Sequence, residues 1–166
     1  MNIKDIAQRI EGAVPAAFEN FKTNGAAERT RTALTTFGEL GHEFGFTVCC
    51  RRGCYARADQ GEWLYDQLWY ADHPTKQGFL VRVPLALEAE FGDMEPKIDN
   101  DFPKLLLVRA DVRVWLWQSL DAGEHIALYR DSIKEFGYSL AGDEWVFGVW
   151  EWTPKPRLVV ERFTHA

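Results

Sequence analysis

Three acidic residues stand out because of the apolar and aromatic stretches around them. Asp66 falls inside an aromatic segment at 62–70, while Glu88 and Glu90 end the apolar segment 79–92 with one residue between them. Side chains alternate faces along a strand, so Glu88 and Glu90 are expected to point the same way, roughly 7 Å apart. Two carboxylates at that separation repel by about 2 kcal/mol at an effective dielectric of about 20. A cation, a raised pKa or solvent must relieve this repulsion.

A loop at 71–78 would let the two acidic strands pair as a hairpin. That pairing would bring Asp66 toward Glu88, so three carboxylates would converge at one end of the sheet. Oxygen-rich sites of this kind suit Mg²⁺ or Mn²⁺, which bind through one or two carboxylates together with water and substrate phosphate. Taken alone, each of these acids could equally be a solvated residue at the end of a strand.

A lysine follows these acids in the first turn of a predicted helix over 99–108. Lys104 comes three residues after Asp101, at a position where the helix dipole normally favours acids. An ordinary surface lysine would explain it. A functional explanation is a cation held near the charge that develops on a phosphate.

Helical and alternating apolar patterns place the elements that must position these residues. Pro84 within the second acidic strand fits an edge or a bulge better than a central ladder position. The order of elements predicts an α/β (α+β) fold in which a central mixed sheet is flanked by helices. The predicted helices are 3–13, 15–22, 26–44, 99–108 and 124–136, and the predicted strands are 46–50, 62–70, 79–92, 112–117, 145–152 and 158–162.

The bulk composition limits the class of protein. With 166 residues and 46% hydrophobic content, the chain can form one ordered domain, 1–166. We expect a helical N-terminal extension at 1–25, a core at 26–118, and a C-terminal helix and hairpin at 119–166. No apolar run is long enough for a membrane span, and the N-terminus lacks the apolar core of a signal peptide. Three cysteines fit a reducing compartment, so the expected location is cytoplasmic.

The spacing of the acids resembles a known family. Asp66, twenty-one residues and then Glu88-Ala89-Glu90 lie in a helix–strand–strand–strand–helix–strand order. This arrangement resembles the PD-(D/E)XK nuclease superfamily, and the resemblance covers roughly 26–117. It implies a restriction-endonuclease-like core in which Asp66 and Glu88 hold Mg²⁺ or Mn²⁺, assisted by the backbone carbonyl of Ala89.

The resemblance also implies roles for residues that depart from the family pattern. Glu90 stands where the family has a lysine, and would bind metal or act as general base. Lys104, on the following helix, would supply the missing cation. Glu43, on the first core helix, would add a metal contact through water. No proline precedes Asp66, where the chain reads Leu64-Tyr65-Asp66.

Two functions follow from the resemblance. The first is metal-dependent hydrolysis of phosphodiester bonds in nucleic acid, with Arg51, Arg52 and Arg57 contacting phosphates, although such a charge run is also typical of a solvated loop. The alternative is a catalytically inactive nuclease-fold protein that binds a partner in regulation, immunity or defence. The net charge of −6 and the missing lysine favour this alternative. A protein partner and a homodimer both stay open.

A zinc site is a further alternative. His42, Cys49, Cys50 and Cys54 are close in sequence, and thiolate with imidazole suits Zn²⁺. Their spacing matches no standard zinc knuckle, and adjacent cysteines on one strand point to opposite faces. Buried free thiols are the expected state.

Overall fold

A mixed sheet flanked by helices forms the protein, as the sequence predicts, and in the described residues it has seven strands rather than the six predicted. The structure is a computed structural model that describes residues 2–94 and 101–166, without the side chain of Gln77. The helices are α1 (Ile3–Ala17), α2 (Ala26–Glu43), α3 (Phe102–Leu107) and α4 (Ala122–Glu135). The strands are β1 (Thr47–Cys50), β2 (Gln60–Gly61), β3 (Gln67–His73), β4 (Lys76–Glu90), β5 (Val112–Ser119), β6 (Glu144–Glu151) and β7 (Arg157–Thr164).

The strands lie in the order β2-β1-β3-β4-β5-β6-β7. β1, β3 and β4 pair antiparallel, β4, β5 and β6 run parallel, and β7 returns antiparallel to β6. Parallel neighbours need a crossover connection, and α3 and α4 lie in the two connections of the parallel trio. Every residue of β5 is buried, as expected of a parallel strand that is covered on both faces.

Two hydrophobic clusters cover the two faces of the sheet. α1 and α2 supply one cluster, and α3 and α4 supply the other. α1 packs against β5, β6 and β7, and Gly148 of β6 allows its close approach. A Cβ atom at Gly148 would lie 2.7 Å from Val14 Cγ1 and 2.8 Å from Leu116 Cδ2. The first helix, which the sequence suggests is an extension, is therefore part of the main core.

The N-terminal region forms one helix where the sequence predicts two. α1 continues through Pro15, although proline removes one helical hydrogen bond. Ile6, Ile10 and Val14 are fully buried on one stripe, and packing of that stripe on the sheet offsets the lost bond. Asn2 caps the start of the helix, because its side chain accepts the N–H of Asp5 at 2.8 Å.

The hairpin that carries the acids differs from the prediction at both of its strands. β3 begins at Gln67, so the predicted strand start at 62 is wrong and Asp66 immediately precedes the strand. β4 begins earlier than predicted, leaving a short turn after His73. The β3–β4 register shifts between Trp69 and Ala71, opposite Pro84, which confirms the expected irregularity there.

The remaining elements follow the prediction closely. α2 ends one residue early, α4 begins two residues and ends one residue early, and β5 and β7 extend slightly beyond their predicted bounds, while the short β2 was not predicted. α3 confirms the predicted helix, while Asp99 and Asn100 of that prediction lie outside the described residues. Within the described ranges, no helix combines the length and apolar character that a bilayer crossing requires.

Candidate functional site

Asp66 lies at the start of β3, beside the end of β4. Its Oδ2 accepts the backbone N–H of Ala89 at 3.1 Å, and its Oδ1 lies 3.5 Å from Nη1 of Arg51. The backbone joins the same residues, because the Arg51 N–H donates to the Asp66 carbonyl at 2.8 Å. Only 7% of Asp66 is exposed. The loop after β1 and the end of β4 therefore fix this carboxylate from two sides.

Glu88 lies on the face of β4 that α3 and α4 cover. Leu87 and Ala89 join the cluster under α1 and α2, whereas Ala86 joins the opposite cluster, so alternation turns Glu88 toward α3. The parallel register places it beside Trp115 of β5. Glu88 is 1% exposed, which makes it one of the most thoroughly buried charged groups in the described chain.

Lys104 of α3 reaches this buried carboxylate. Its Nζ lies 3.4 Å from Oε1 of Glu88 and 2.6 Å from Oδ1 of Asp101. Burial alone would lower the pKa of Lys104, but Asp101 and Glu88 outweigh it and the pKa is raised. The lysine therefore stays charged, and the helix that follows β4 carries it to the acids, as expected.

Burial dominates the electrostatics of the acid pair. It raises the pKa of Glu88 to about 8, the negative charge of Asp66 adds to the rise, and Lys104 opposes it. The pKa of Asp66 is raised by burial as well, against the Ala89 N–H and Arg51. Glu88 Oε1 accepts no hydrogen bond from the described residues. Two coupled carboxylates with raised pKa values mark a candidate functional site.

Glu90 does not complete the expected trio of acids. Its Oε1 accepts the backbone N–H of Gly92 at 2.6 Å, so this carboxylate is hydrogen-bonded to the turn after β4. Within 2–94 and 101–166, no three histidine, cysteine or acidic side chains come close enough to hold a metal ion. The predicted convergence of three acids is therefore wrong, and the site is the pair Asp66 and Glu88. Ala89 meets the pair through its N–H.

Glu43 lies away from the pair, which corrects the expectation of a water-mediated metal contact. Its Oε2 pairs with Arg9 of α1 at 2.8 Å, and both side chains are more than half exposed. The Gln67 side chain donates to the Leu34 carbonyl at 2.8 Å, so Leu34 is the part of α2 that is level with Asp66. Glu43 lies about 13 Å further along the helix axis.

A cleft of about 550 Å³ with several arginines in its walls adjoins Asp66. The first turns of α2, the loop after β1 and the end of β4 line it, and Arg51, Arg52 and Glu90 are among the lining residues. Ala89 and Arg51 line the cleft and both contact Asp66, so Asp66 lies next to the cleft, whereas Glu88 faces α3 on the other side of the sheet. Arg31 of α2 also lines the cleft. It is a surface position of a helix, and no feature of the sequence distinguishes it.

Arg57 does not join this cleft, contrary to expectation. Its Nη1 pairs with Oε2 of Glu39 at 2.7 Å, which ties the loop after β1 to the middle of α2. Arg57 therefore joins this loop to α2 and does not line the cleft.

The cysteines and His42 do not form a zinc site. His42 Nε2 lies 2.9 Å from Asp59 Oδ2, and its Nδ1 lies 2.9 Å from the Tyr55 hydroxyl. Cys49 and Cys50 face opposite clusters, as expected of neighbours on a strand. All three cysteines are free thiols, and burial raises the pKa of each of them.

The pair fits a hard divalent ion by its donor chemistry. Mg²⁺ and Mn²⁺ need only one or two carboxylates when water and substrate phosphate complete the shell. Oε1 of Glu88 is a buried carboxylate oxygen with Lys104 Nζ 3.4 Å away and no aligned hydrogen bond from the described residues. Asp66 and Glu88 would hold the ion.

Comparison with known proteins gives no further guide. No family model, curated protein or solved structure matches the chain. What the site can do must therefore be argued from its own geometry.

Proposed function

We propose that the protein is a divalent-metal-dependent nuclease that hydrolyses phosphodiester bonds and has a restriction-endonuclease-like core. The observation that carries the proposal is the buried Asp66–Glu88 pair with Lys104 beside it. Three separate elements bring these groups together, and a hydrophobic core gains nothing from enclosing two coupled carboxylates. A functional role accounts for that cost.

The residues divide the work of phosphodiester hydrolysis. Asp66 and Glu88 would hold a Mg²⁺ or Mn²⁺ ion, which supplies Lewis acidity and lowers the pKa of bound water. Lys104 places a positive charge within 3.4 Å of Glu88, where it would offset charge that develops on the phosphate. Glu90 is held by the turn and has no assigned role in this scheme.

The cleft favours a polyanionic substrate even though the whole chain is acidic. Among the described residues its walls bring together Arg31, Arg51 and Arg52 with one acid, Glu90, while the net charge of the chain is −6. Guanidinium groups bind phosphate oxygens in a bidentate manner. Nucleic acid is therefore the proposed partner, held through its backbone in the cleft next to Asp66.

The second candidate is a nuclease-like protein without catalysis that binds a partner. One observation favours it: Arg51 and Lys104 already lie beside Asp66 and Glu88. A pKa of about 8 also leaves Glu88 mostly protonated at neutral pH, so the pair is tolerated without a metal ion.

Cleavage assays with matched variants test the proposal. Plasmid, single-stranded DNA and RNA are incubated with Mg²⁺ or Mn²⁺ and wild type, Asp66→Asn, Glu88→Gln or Glu43→Gln. We expect Asp66→Asn and Glu88→Gln to lower the cleavage rate by roughly 100-fold or more, as loss of a charge that acts on the transition state does. Glu43→Gln should cut like wild type, because Glu43 lies at the far end of α2.

Calorimetry with Mn²⁺ separates the two candidates. Binding that is lost in Asp66→Asn supports the metal site. Folded wild type that neither cleaves nor binds Mn²⁺ would overturn the nuclease proposal in favour of the binding protein.

A further inference from the structure

A second cavity, of about 290 Å³, lies between the end of α3 and the segment after α4. Its apolar side chains are unusually exposed: 72% of Leu107, 81% of Tyr138 and 46% of Leu140. The proposed nuclease site shares none of its lining. The cavity is lined by Leu106, Leu107, Val108, Arg109, Arg113, Phe136, Tyr138 and Leu140.

One of the two arginines that line this largely apolar cavity is buried. Arg113 of β5 is 2% exposed. Its Nη2 donates to the Val108 carbonyl at 2.8 Å, and its Nη1 lies 3.2 Å from Asp143 Oδ1 without the alignment of a hydrogen bond. Its Nε has no acceptor among the described residues. A buried guanidinium whose N–H donors lack acceptors raises the free energy of the folded protein. A ligand that supplies an acceptor here would therefore gain binding free energy.

The charges around the cavity do not balance. Arg109 is exposed at the rim, and its positive charge acts against that of Arg113. The acid beside Arg113 is Asp143, whose Oδ2 is engaged by the Leu140 N–H at 3.0 Å. Among the described residues that line or contact the cavity, two guanidiniums therefore share the one carboxylate of Asp143, which leaves a net charge of about +1 next to apolar walls.

We propose that this cavity binds a small molecule that joins one carboxylate to an apolar body. The carboxylate would meet Arg109 at the rim and face Arg113 at the base, since guanidinium and carboxylate match in shape and charge. The apolar body would cover Leu107, Tyr138 and Leu140. The volume lies at the small end of ligand pockets, which fits a medium-chain fatty acid or an aryl carboxylate.

A single negative charge on the ligand fits the site better than a phosphate does. One excess positive charge is neutralised by one carboxylate, whereas a dianion would leave negative charge against leucine and phenylalanine side chains. The inference does not rest on the proposed nuclease function, because the lining of this cavity includes neither Asp66, Glu88 nor Lys104 and shares no residue with the cleft.

Titration calorimetry with octanoate and with 4-phenylbutyrate on the full chain tests the proposal. We expect saturable 1:1 binding by wild type. Arg109→Ala should weaken affinity by roughly 10-fold, the value of a lost charge-assisted hydrogen bond. Arg109 is exposed, so this variant is expected to fold. Arg9→Ala is the matched control, because Arg9 lies on α1 across the sheet, and it should bind like wild type.

The neutral analogue and a map of the contacts complete the test. Octanol should bind at least about tenfold more weakly than octanoate, because it cannot engage the guanidiniums. In NMR spectra, the largest changes in backbone amide chemical shift on adding octanoate should occur around Leu107 and Tyr138. Absence of binding, equal affinity for octanol, an unchanged Kd in Arg109→Ala, or shifts elsewhere would each overturn the proposal.

Discussion

At the scale of one residue, Glu88 shows how burial changes the protonation of a carboxylate. It lies beside Trp115 on a covered strand, where water cannot solvate an ionised carboxylate. Its pKa rises to about 8, chiefly through burial and then through Asp66. The folded protein therefore keeps a proton at neutral pH that the unfolded chain releases.

This proton makes stability depend on pH in a defined direction. Between the ordinary value of 4.5 and about 8, the folded state binds more protons at Glu88 than the unfolded state. The contribution of this group is therefore present at low pH and is lost as pH rises through that window. From pH 6 to pH 8 the loss is roughly 2 kcal/mol in the free energy of unfolding.

Glu88→Gln should remove this dependence, since the amide stays neutral. Urea unfolding at pH 6 and pH 8 should show a smaller loss of stability for this variant than for wild type. Glu90→Gln is the matched control, because Glu90 lies on the same strand and is held by Gly92, and it should keep the wild-type pH dependence. Equal pH dependence in wild type and Glu88→Gln would contradict the expectation.

The candidate site was partly predictable at this scale. The spacing of Asp66, Glu88 and Lys104 identified residues that the fold does bring together. Glu90 and Glu43 were predicted as site residues and are not, because their positions depend on contacts that spacing cannot show: the N–H of Gly92 for one and Arg9 for the other.

Arg113 shows the opposite case, a residue that carried a signal the sequence analysis did not use. It is a charge inside the apolar run Val112-Arg113-Val114-Trp115. A charged residue within a fully buried strand requires a partner. The sequence does not show that this partner is Asp143, nor that Arg109 adds a second positive charge beside it. Both facts depend on how α3 and the loop after α4 fold.

At the scale of elements, the contact between α1 and β6 limits what Gly148 can become. Gly148→Ala should destabilise the protein by roughly 1–3 kcal/mol, because the added methyl group would overlap Val14 and Leu116. Gly12→Ala within α1 is the control, since a Cβ there meets nothing within 4 Å. It should stabilise the helix by about 0.5–1 kcal/mol. Thermal unfolding of both variants would check the opposite signs.

Helices were more predictable than the strand that begins the site. Apolar periodicity predicted α2 almost to its ends. The aromatic run before Gln67 looks like a strand, yet Trp63 stacks on Tyr70 at 5.2 Å between ring centroids and its Nε1 donates to Gln60. The segment folds back on β3 instead of extending it. Local alternation cannot distinguish these two outcomes.

At the scale of the whole molecule, the first helix packs against strands from the end of the chain. α1 packs against the last two strands, and five of its residues are buried. Strands at the end of the chain therefore depend on residues at its beginning. This dependence predicts that a chain starting at Ala26 loses much of its core.

Removing residues 1–25 should abolish the cooperative unfolding transition. The loss of Ile6, Ile10 and Val14 alone removes side chains worth roughly 1.5–3 kcal/mol each, which is comparable with the total stability of a domain. Circular dichroism during heating would show whether the truncated chain has a cooperative unfolding transition. Gln8→Ala, at an exposed position of α1, should leave the transition in place, and a truncated chain that still melts cooperatively would refute the dependence.

The shortness of α3 has a consequence for how fast the buried acids can be reached. This six-residue helix is held by Phe102 and Leu105, and the Asp101 side chain makes no capping bond within the described chain. Such a segment opens more readily than the strands beneath it. If α3 must move away from the sheet before an ion can bind Glu88, the opening of α3 limits the rate of binding. The observed rate of ion binding would then reach a maximum equal to the opening rate of α3, however high the ion concentration.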